Sequence, residues 1–396
     1  MPAHPPSTSR ADQVVQWAAL AGVLALSFAL FYHLCQLPSS DISIHAAWAA
    51  EGDFSQPVSF LRHGAHPLWH VLVAGLLRLG LPLDCSAALI TTLSKGAQLC
   101  LVRNILSSRL RMSANAVTLL SVLCVLVSSL CVPWYNPTVY YNVGTPNTWH
   151  SCTQLAGMVF MLMCVPLTAR CYDRFDKQLP SREATTPWRD TALLGALLFL
   201  SLLAKPTFMQ AFLPAACLFF LVQWIRHPRN SRYFLQVLLC VLPSILFMLA
   251  QYFYYFGALG GSQGSVTLEV SLEKAKTTLL CVLLMQAFPL YAFAVSRKAV
   301  RRDTLFWLTL GLNAVSVLEF LFLGESGRRA GDGNFGWGMM GAAMMSWVVG
   351  LSAYFQARSA RALSRFKALG GDLLLGWHLI SGVYYIVYLF TSGAAL

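Results

Sequence analysis

The sequence predicts an all-α, polytopic membrane protein with about eleven transmembrane helices and outer juxtamembrane helices in its first loop. Three observations predict it. Hydrophobic residues fill 57% of 396 positions and charged residues only 11%, too little charge to cover a soluble chain of this length. Apolar runs of about 20 residues recur, the length that crosses roughly 30 Å of hydrocarbon. The basic residues, which set a net charge of +12, sit in short loops between those runs. Nineteen of the 28 lie in five loops: Arg103 to Arg111, Arg170 to Arg189, Arg226 to Arg232, Arg297 to Arg302 and Arg358 to Lys367. Such loops face the cytoplasm, so the basicity reports orientation and not nucleic-acid binding.

The elements follow in order. Residues 1–13, "MPAHPPSTSRADQ", are polar and proline-rich and read as a disordered cytoplasmic tail. The run 14–34 is followed by no small-residue cleavage site and reads as a retained span, not a signal peptide. The further spans are 86–106, 115–133, 152–170, 190–204, 207–225, 234–256, 275–296, 304–323, 336–356 and 371–391. Region 66–106 decides the count. Two spans there would make twelve and turn Arg103, Arg109 and Arg111 outward. One span keeps every basic loop on one side and leaves "HPLWHVLVAGLLRLGLP", 66–82, as an amphipathic helix in the interface. Residues 14–396 then form one transmembrane domain with the N-terminus inside and the C-terminus outside. Its outer loops are 35–85, 134–151, 257–274 and 324–335, of which 257–274 is mostly polar filler by composition. Most of the eleven cysteines lie inside apolar runs and act as small apolar residues. Cys131 and Cys152 flank one outer loop and are candidates for a disulfide.

Four groups on the outer side could carry chemistry. Asp41 lies one turn before His45, so the two share a face if 41–51 is helical. Asp41 as a plain helix N-cap is the bland alternative. Against it, the same loop gathers Asp53, His63, His66 and His70. Lys205, in "LLAKPTFMQAFLP", sits at a proline turn between two spans, where it either snorkels to the interface or holds an anionic head group. Lys95 is a second intramembrane lysine, read equally as a ligand site or as the structural partner of a distant group such as Glu319. Arg328 and Arg329, in "GESGRRAGDGNFGWG", break the positive-inside pattern and suit a phosphate. Their alternative is a flexible turn neutralised by Glu325 and Asp332. In "NVGTPNTWHS", Asn147, Trp149 and His150 offer amide, indole and imidazole groups that suit a sugar ring. An aromatic belt at the interface explains the same residues. Asp53 and Asn334, from the neighbouring outer loops, complete the candidate sugar- or acceptor-binding set.

With "SDISIHAAWAAEGD", "HPLWHVLVAGLL", "KPTF", "TPNTWHS" and "GRRAGDGNF" in this order, the chain resembles the GT-C superfamily of membrane glycosyltransferases, in particular its bacterial surface-polysaccharide members. The resemblance implies transfer of a sugar from a polyprenyl-phosphate carrier to a glycan, lipid or protein acceptor at the outer face of the bacterial plasma membrane. The catalytic acid of that family lies in the first outer loop, which by position is Asp41. His45 would orient it or the acceptor, and Lys205, Arg328 and Arg329 would hold the departing phosphate. The sequence departs from the family in two ways. It shows no large soluble C-terminal domain. Asp41 also stands without the paired acid that holds a divalent metal in some members, which leaves a dependence on Mg²⁺ or Mn²⁺ open. Three other readings compete. A polysaccharide polymerase would rely on the outer arginines. A transporter or flippase for lipid-linked glycans would show inverted repeats and midplane polar sites, and no repeat is visible. A structural scaffold would not need arginines on the disfavoured side.

Overall fold

The computed structural model describes residues 9–132, 144–179, 181, 184–256, 265–327 and 333–391. The elements are α1 (Arg10–Cys35), α2 (Asp41–Ala50), α3 (Leu68–Arg78), α4 (Leu83–Arg109), α5 (Ala114–Leu126), α6 (Cys152–Asp176) and α7 (Trp188–Ala204). They continue as α8 (Thr207–Arg226), α9 (Ser231–Phe256), β1 (Val266–Leu268), α10 (Leu272–Val295), α11 (Arg297–Val300) and α12 (Thr304–Phe322). The last are β2 (Leu323–Glu325), α13 (Asn334–Ser359) and α14 (Arg365–Thr391). The protein is all-α apart from one short antiparallel β1–β2 pairing. Among the described residues, nine helices are long and apolar enough to cross a membrane.

Several boundaries differ from those read in the sequence. Helix α1 starts at Arg10, because Ser9 and Asp12 form a reciprocal capping box, so residues 10–13 are helix and not tail. The interface helix is shorter than 66–82 and spans 68–78. Part of the 257–274 loop is the strand β1, paired with residues that follow α12. Cys152 is a free thiol, so the expected Cys131–Cys152 disulfide is not formed.

Helix α7 keeps the short length read for it at 190–204, and α5 stops well before the expected 133. Helix α7 has 17 residues and α5 only 13, about 26 Å and 20 Å at 1.5 Å per residue. The chain leaves α5 at Val127 and continues extended, with Val127, Ser128 and Ser129 fully buried. Non-helical backbone at this depth is tolerated only where protein satisfies its polar groups. Here three elements do so. Asn147 Nδ2 donates to the Cys124 carbonyl at 2.9 Å and the Val127 carbonyl at 2.8 Å. The Ser128 N–H donates to the His378 carbonyl, and His378 Nδ1 donates back to the Ser128 carbonyl at 2.7 Å. The Leu130 N–H donates to the Leu284 carbonyl at 2.9 Å.

That last acceptor is open because the Phe288 N–H, its donor in a regular helix, turns to His378 Nε2 at 3.4 Å where α10 is kinked. Gln286 leaves helical geometry (φ −123°, ψ 17°) three residues before Pro289, and a proline removes the bond to the carbonyl four residues back. The carbonyl so released is Met285, and the Trp347 indole N–H takes it at 3.0 Å. Helix α13, which supplies Trp347, is the central pillar. Its glycines, alanines and methionines bury nearly its whole circumference.

The basic loops meet at one end. Arg109 pairs with Asp303 and donates to Ser352 at 3.0 Å, Arg174 pairs with Asp190, and Arg358 pairs with Asp372. Helix α6 runs from Cys152 to Asp176, so its first residue lies about 35 Å from that end. The histidine-rich segments gather around Cys152.

The seam between α14 and the end of α5 is tight. A Cβ on Gly382 would lie 1.9 Å from the Leu126 carbonyl oxygen, whereas one on Gly376 meets nothing within 4 Å. Gly382→Ala should therefore destabilise the protein by about 1–3 kcal/mol through overpacking, and Gly376→Ala should be neutral. Thermal unfolding of both variants in one detergent checks this.

Candidate functional site

The site is built from the start of α2 upward. The cap of α2 is Ser40, whose hydroxyl accepts from the Ser43 N–H at 3.1 Å. Asp41 is the first helical residue, so the N-cap reading of it does not hold. One turn on, His45 Nε2 lies 3.5 Å from Asp41 Oδ1. The other nitrogen of His45 faces His70 Nε2 at 2.8 Å. His70 Nδ1 lies 3.2 Å from the His66 carbonyl. A carbonyl can only accept, so His70 Nδ1 carries the proton and its Nε2 accepts. His45 Nδ1 is therefore the donor in the pair. A second proton on His45, at Nε2, makes it an imidazolium facing Asp41.

Packing holds this relay in place. His45 and His70 are buried, and α3 is pinned to α4 by Trp69 Nε1 donating to Thr91 Oγ1 at 3.2 Å. Trp48 stacks flat on His63, which reaches Glu51 at 2.8 Å. Burial pushes His70 down to about 3 and His66 well below its ordinary range, so both are neutral. Burial pushes the Asp41 carboxyl up. The hydrogen bond to His45 and the electrostatic influence of His45, Lys205 and His150 outweigh it, and the group ends below the usual carboxylate range.

Three further elements close the site. Lys205 ends α7, with its Cβ in contact distance of the position a Cβ on Gly157 would take. Its ammonium donates to Thr153 Oγ1 at 3.3 Å and lies 4.1 Å over the Trp337 ring. Burial pushes it down to about 8, opposed by the charge of Asp41. His150 Nδ1 meets the Tyr385 hydroxyl at 2.5 Å, and its ring lies 5.7 Å from Trp337. Burial pushes His150 down to about 4.

A cavity of about 300 Å³ opens beside these groups. His66, Lys205, Glu325 and Asn334 line one part, and Met248, Leu249 and Tyr252 of α9 line another. Leu249 and Tyr252 are also exposed at the surface of α9. His66 Nε2 is buried with no hydrogen-bond partner among the described residues.

The sequence-derived set divides accordingly. Asp41, His45, Lys205 and His150 converge here, and Asn334 lies on the cavity wall, where its Nδ2 donates to Glu325 at 2.6 Å. Asp53 is used locally: it accepts from the Ser55 N–H and hydroxyl and lies 3.7 Å from Arg78. Asn147 and Trp149 are completely buried. Trp149 is covered by Lys95 at 4.1 Å and packs against Phe31, so its face is closed to a sugar. Lys95 donates to Asn147 Oδ1 at 2.9 Å and to Gln98 Oε1 at 3.4 Å, which makes it a structural residue paired with amides and not with Glu319. Arg328 and Arg329 lie outside the described residues. Cys152, Trp337 and Tyr385 belong to the site without having been singled out for it, and His66 and His70, noted only as histidines of the first outer loop, join it. The histidine pair four residues apart at 66 and 70 was the one available signal.

No family model matches the chain, and no curated protein matches it either, so the geometry alone carries the functional reading.

Asn147→Ala removes the acceptor of a buried ammonium and the donor to two buried carbonyls. It should cost about 3 kcal/mol or more. Tm in detergent should fall sharply, and Lys95→Met combined with Asn147→Leu should recover part of the loss.

Proposed function

We propose that this chain is an integral membrane glycosyltransferase similar to the GT-C superfamily, moving a sugar from a polyprenyl-phosphate carrier to an acceptor hydroxyl. The observation that carries the reading is a carboxylate and a buried lysine whose charges act on each other beside a cavity whose α9 wall, Met248, Leu249 and Tyr252 with Gln251, is mostly apolar and partly exposed. A lipid-borne phosphate needs a cation at its head and an apolar channel for its tail, and both are adjacent here.

Eleven spans follow if α5 with its extended continuation and the 17-residue α7 are counted with the nine long helices. The positive-inside rule then sets the basic loops in the cytoplasm and the histidine-rich end outside. A bacterial plasma membrane fits that arrangement.

In the reaction, the acceptor oxygen attacks the sugar's anomeric carbon, its proton passes to Asp41, and the bond from that carbon to the carrier phosphate breaks. The sugar inverts. The phosphate leaves with its charge facing Lys205, which stabilises it without a proton transfer. A carboxylate held below its usual range is a weak base. The negative phosphate brought beside it raises its basicity when the donor binds.

Asp41→Asn should lower transfer in liposomes by roughly 10²–10⁴-fold, the span of general-base contributions, from a panel of polyprenyl-phosphate sugars. Full transfer by this variant would overturn the assignment. A chain that transfers no sugar yet moves lipid-linked glycan across the bilayer would be a flippase instead.

Lys205 gives a pH test. In the free protein it loses its charge above about 8, so donor affinity should fall as pH rises through that value. Lys205→Arg, charged throughout, should shift the alkaline limb upward. KM measured against pH for both proteins checks the sign.

A further inference from the structure

Asp41, His45 and Cys152 bring a carboxylate oxygen, an imidazole nitrogen and a thiol sulfur within 4.8 Å of one another. The three come from two elements: α2 supplies Asp41 and His45, and Cys152 is the first residue of α6. The hydrogen-bond directions say more. His45 gives its Nδ1 proton to His70, which is anchored in turn on the His66 carbonyl. In neutral His45 the lone pair of Nε2 therefore points at a carboxylate oxygen 3.5 Å away. Two acceptors facing each other require a positive centre between them. Asp41 Oδ2 is also buried with no hydrogen-bond partner among the described residues. The site thus presents donor atoms with their electron pairs turned inward and too few protons to occupy them.

We infer that Asp41, His45 and Cys152 form a zinc site with one open coordination position. Tetrahedral zinc with bonds of about 2.0–2.3 Å sets its ligand atoms about 3.4–3.7 Å apart. The His45–Asp41 pair already has that separation, and the Cys152 sulfur needs a shift of about an ångström at most. Imidazole with thiolate suits zinc and is a poor set for Mg²⁺ or Mn²⁺, the ions that the family resemblance brought into question. A bound ion deprotonates its thiol outright, which removes the cost of burying a thiolate. The His45–His70 bond is the contact that orients a metal-bound imidazole and fixes its tautomer. The fourth position would take water or an acceptor hydroxyl, and Asp41 would keep its second oxygen for a proton.

The inference stands apart from sugar transfer, because metal binding is read without donor or acceptor. The test uses the full chain, purified in detergent without a histidine tag, stripped with chelator and titrated with Zn²⁺ or Co²⁺. One zinc per chain is expected. The cobalt form should show the thiolate-to-cobalt charge-transfer band and the intense visible bands of a tetrahedral site. Cys152→Ala should lose the charge-transfer band, while Cys85→Ala should keep it. His70→Ala, which removes the ring that accepts the His45 Nδ1 proton, should weaken zinc binding about tenfold or more. Substoichiometric zinc with no thiolate band in the wild-type protein would overturn the inference, with a protonated His45 as the remaining positive centre. A band that survives Cys152→Ala would overturn it equally. The wild-type spectrum is decisive even if a variant fails to fold.

Discussion

The contact between Lys95 and Asn147 carries more of this structure than its size suggests. Lys95 is fully buried in α4, and its ammonium reaches Asn147 Oδ1 at 2.9 Å. Asn147 passes the interaction on, because its amide nitrogen holds the Cys124 and Val127 carbonyls. Those are open carbonyls at the end of a helix that stops inside the protein. A helix C-terminus carries partial negative charge and favours a cation nearby. Lys95 therefore offsets the buried end of α5 through an amide intermediary, which explains why it stands without an acidic partner among the described residues. Trp149, stacked over the same ammonium, joins the loop before α6 to this centre. The position of His150 and Cys152 in the site depends on that loop.

The span lengths were legible because hydrophobic length is a direct consequence of membrane thickness. The end of α5 was not, and the reason is specific. "VSSLCV", residues 127–132, is as apolar as the helix before it. Nothing local stops the helix there. The stop is made by partners more than a hundred residues away, the Leu284 carbonyl and His378. Propensity is a weak prior against such tertiary competition. The kink in α10 was hinted at by Pro289, but its use by Leu130 and Trp347 depends on packing alone.

The site shows the same division. Asp41 and His45 share a helical face by a spacing that can be counted in the sequence. His45 and His70 are 25 residues apart and meet only because α2 and α3 pack on α4. Asn147 and Trp149 were read toward a sugar because amides and indoles at a span boundary serve binding and structure alike. Burial separates the two roles, and both side chains are fully enclosed. Cys152 was read through its neighbour Cys131, whereas its geometry relates it to Asp41 and His45.

The two short helices and the two buried lysines are connected. A full-length α7 would carry Lys205 past the bundle and into water, where an ammonium is fully hydrated and holds nothing tightly. Ending at Ala204, α7 leaves the lysine packed on α6 at Gly157 and over Trp337. Pro206 then begins the next helix without needing the N–H it lacks. The result is a cation with few protein acceptors, 8% exposed, beside an open cavity. Lys95 contrasts with it. That ammonium is enclosed by Asn147, Gln98 and Trp149, and it is spent on the fold. Two lysines that look alike in a hydropathy profile therefore differ in whether their neighbours already use the charge. Lys205 is the one with capacity left for a ligand.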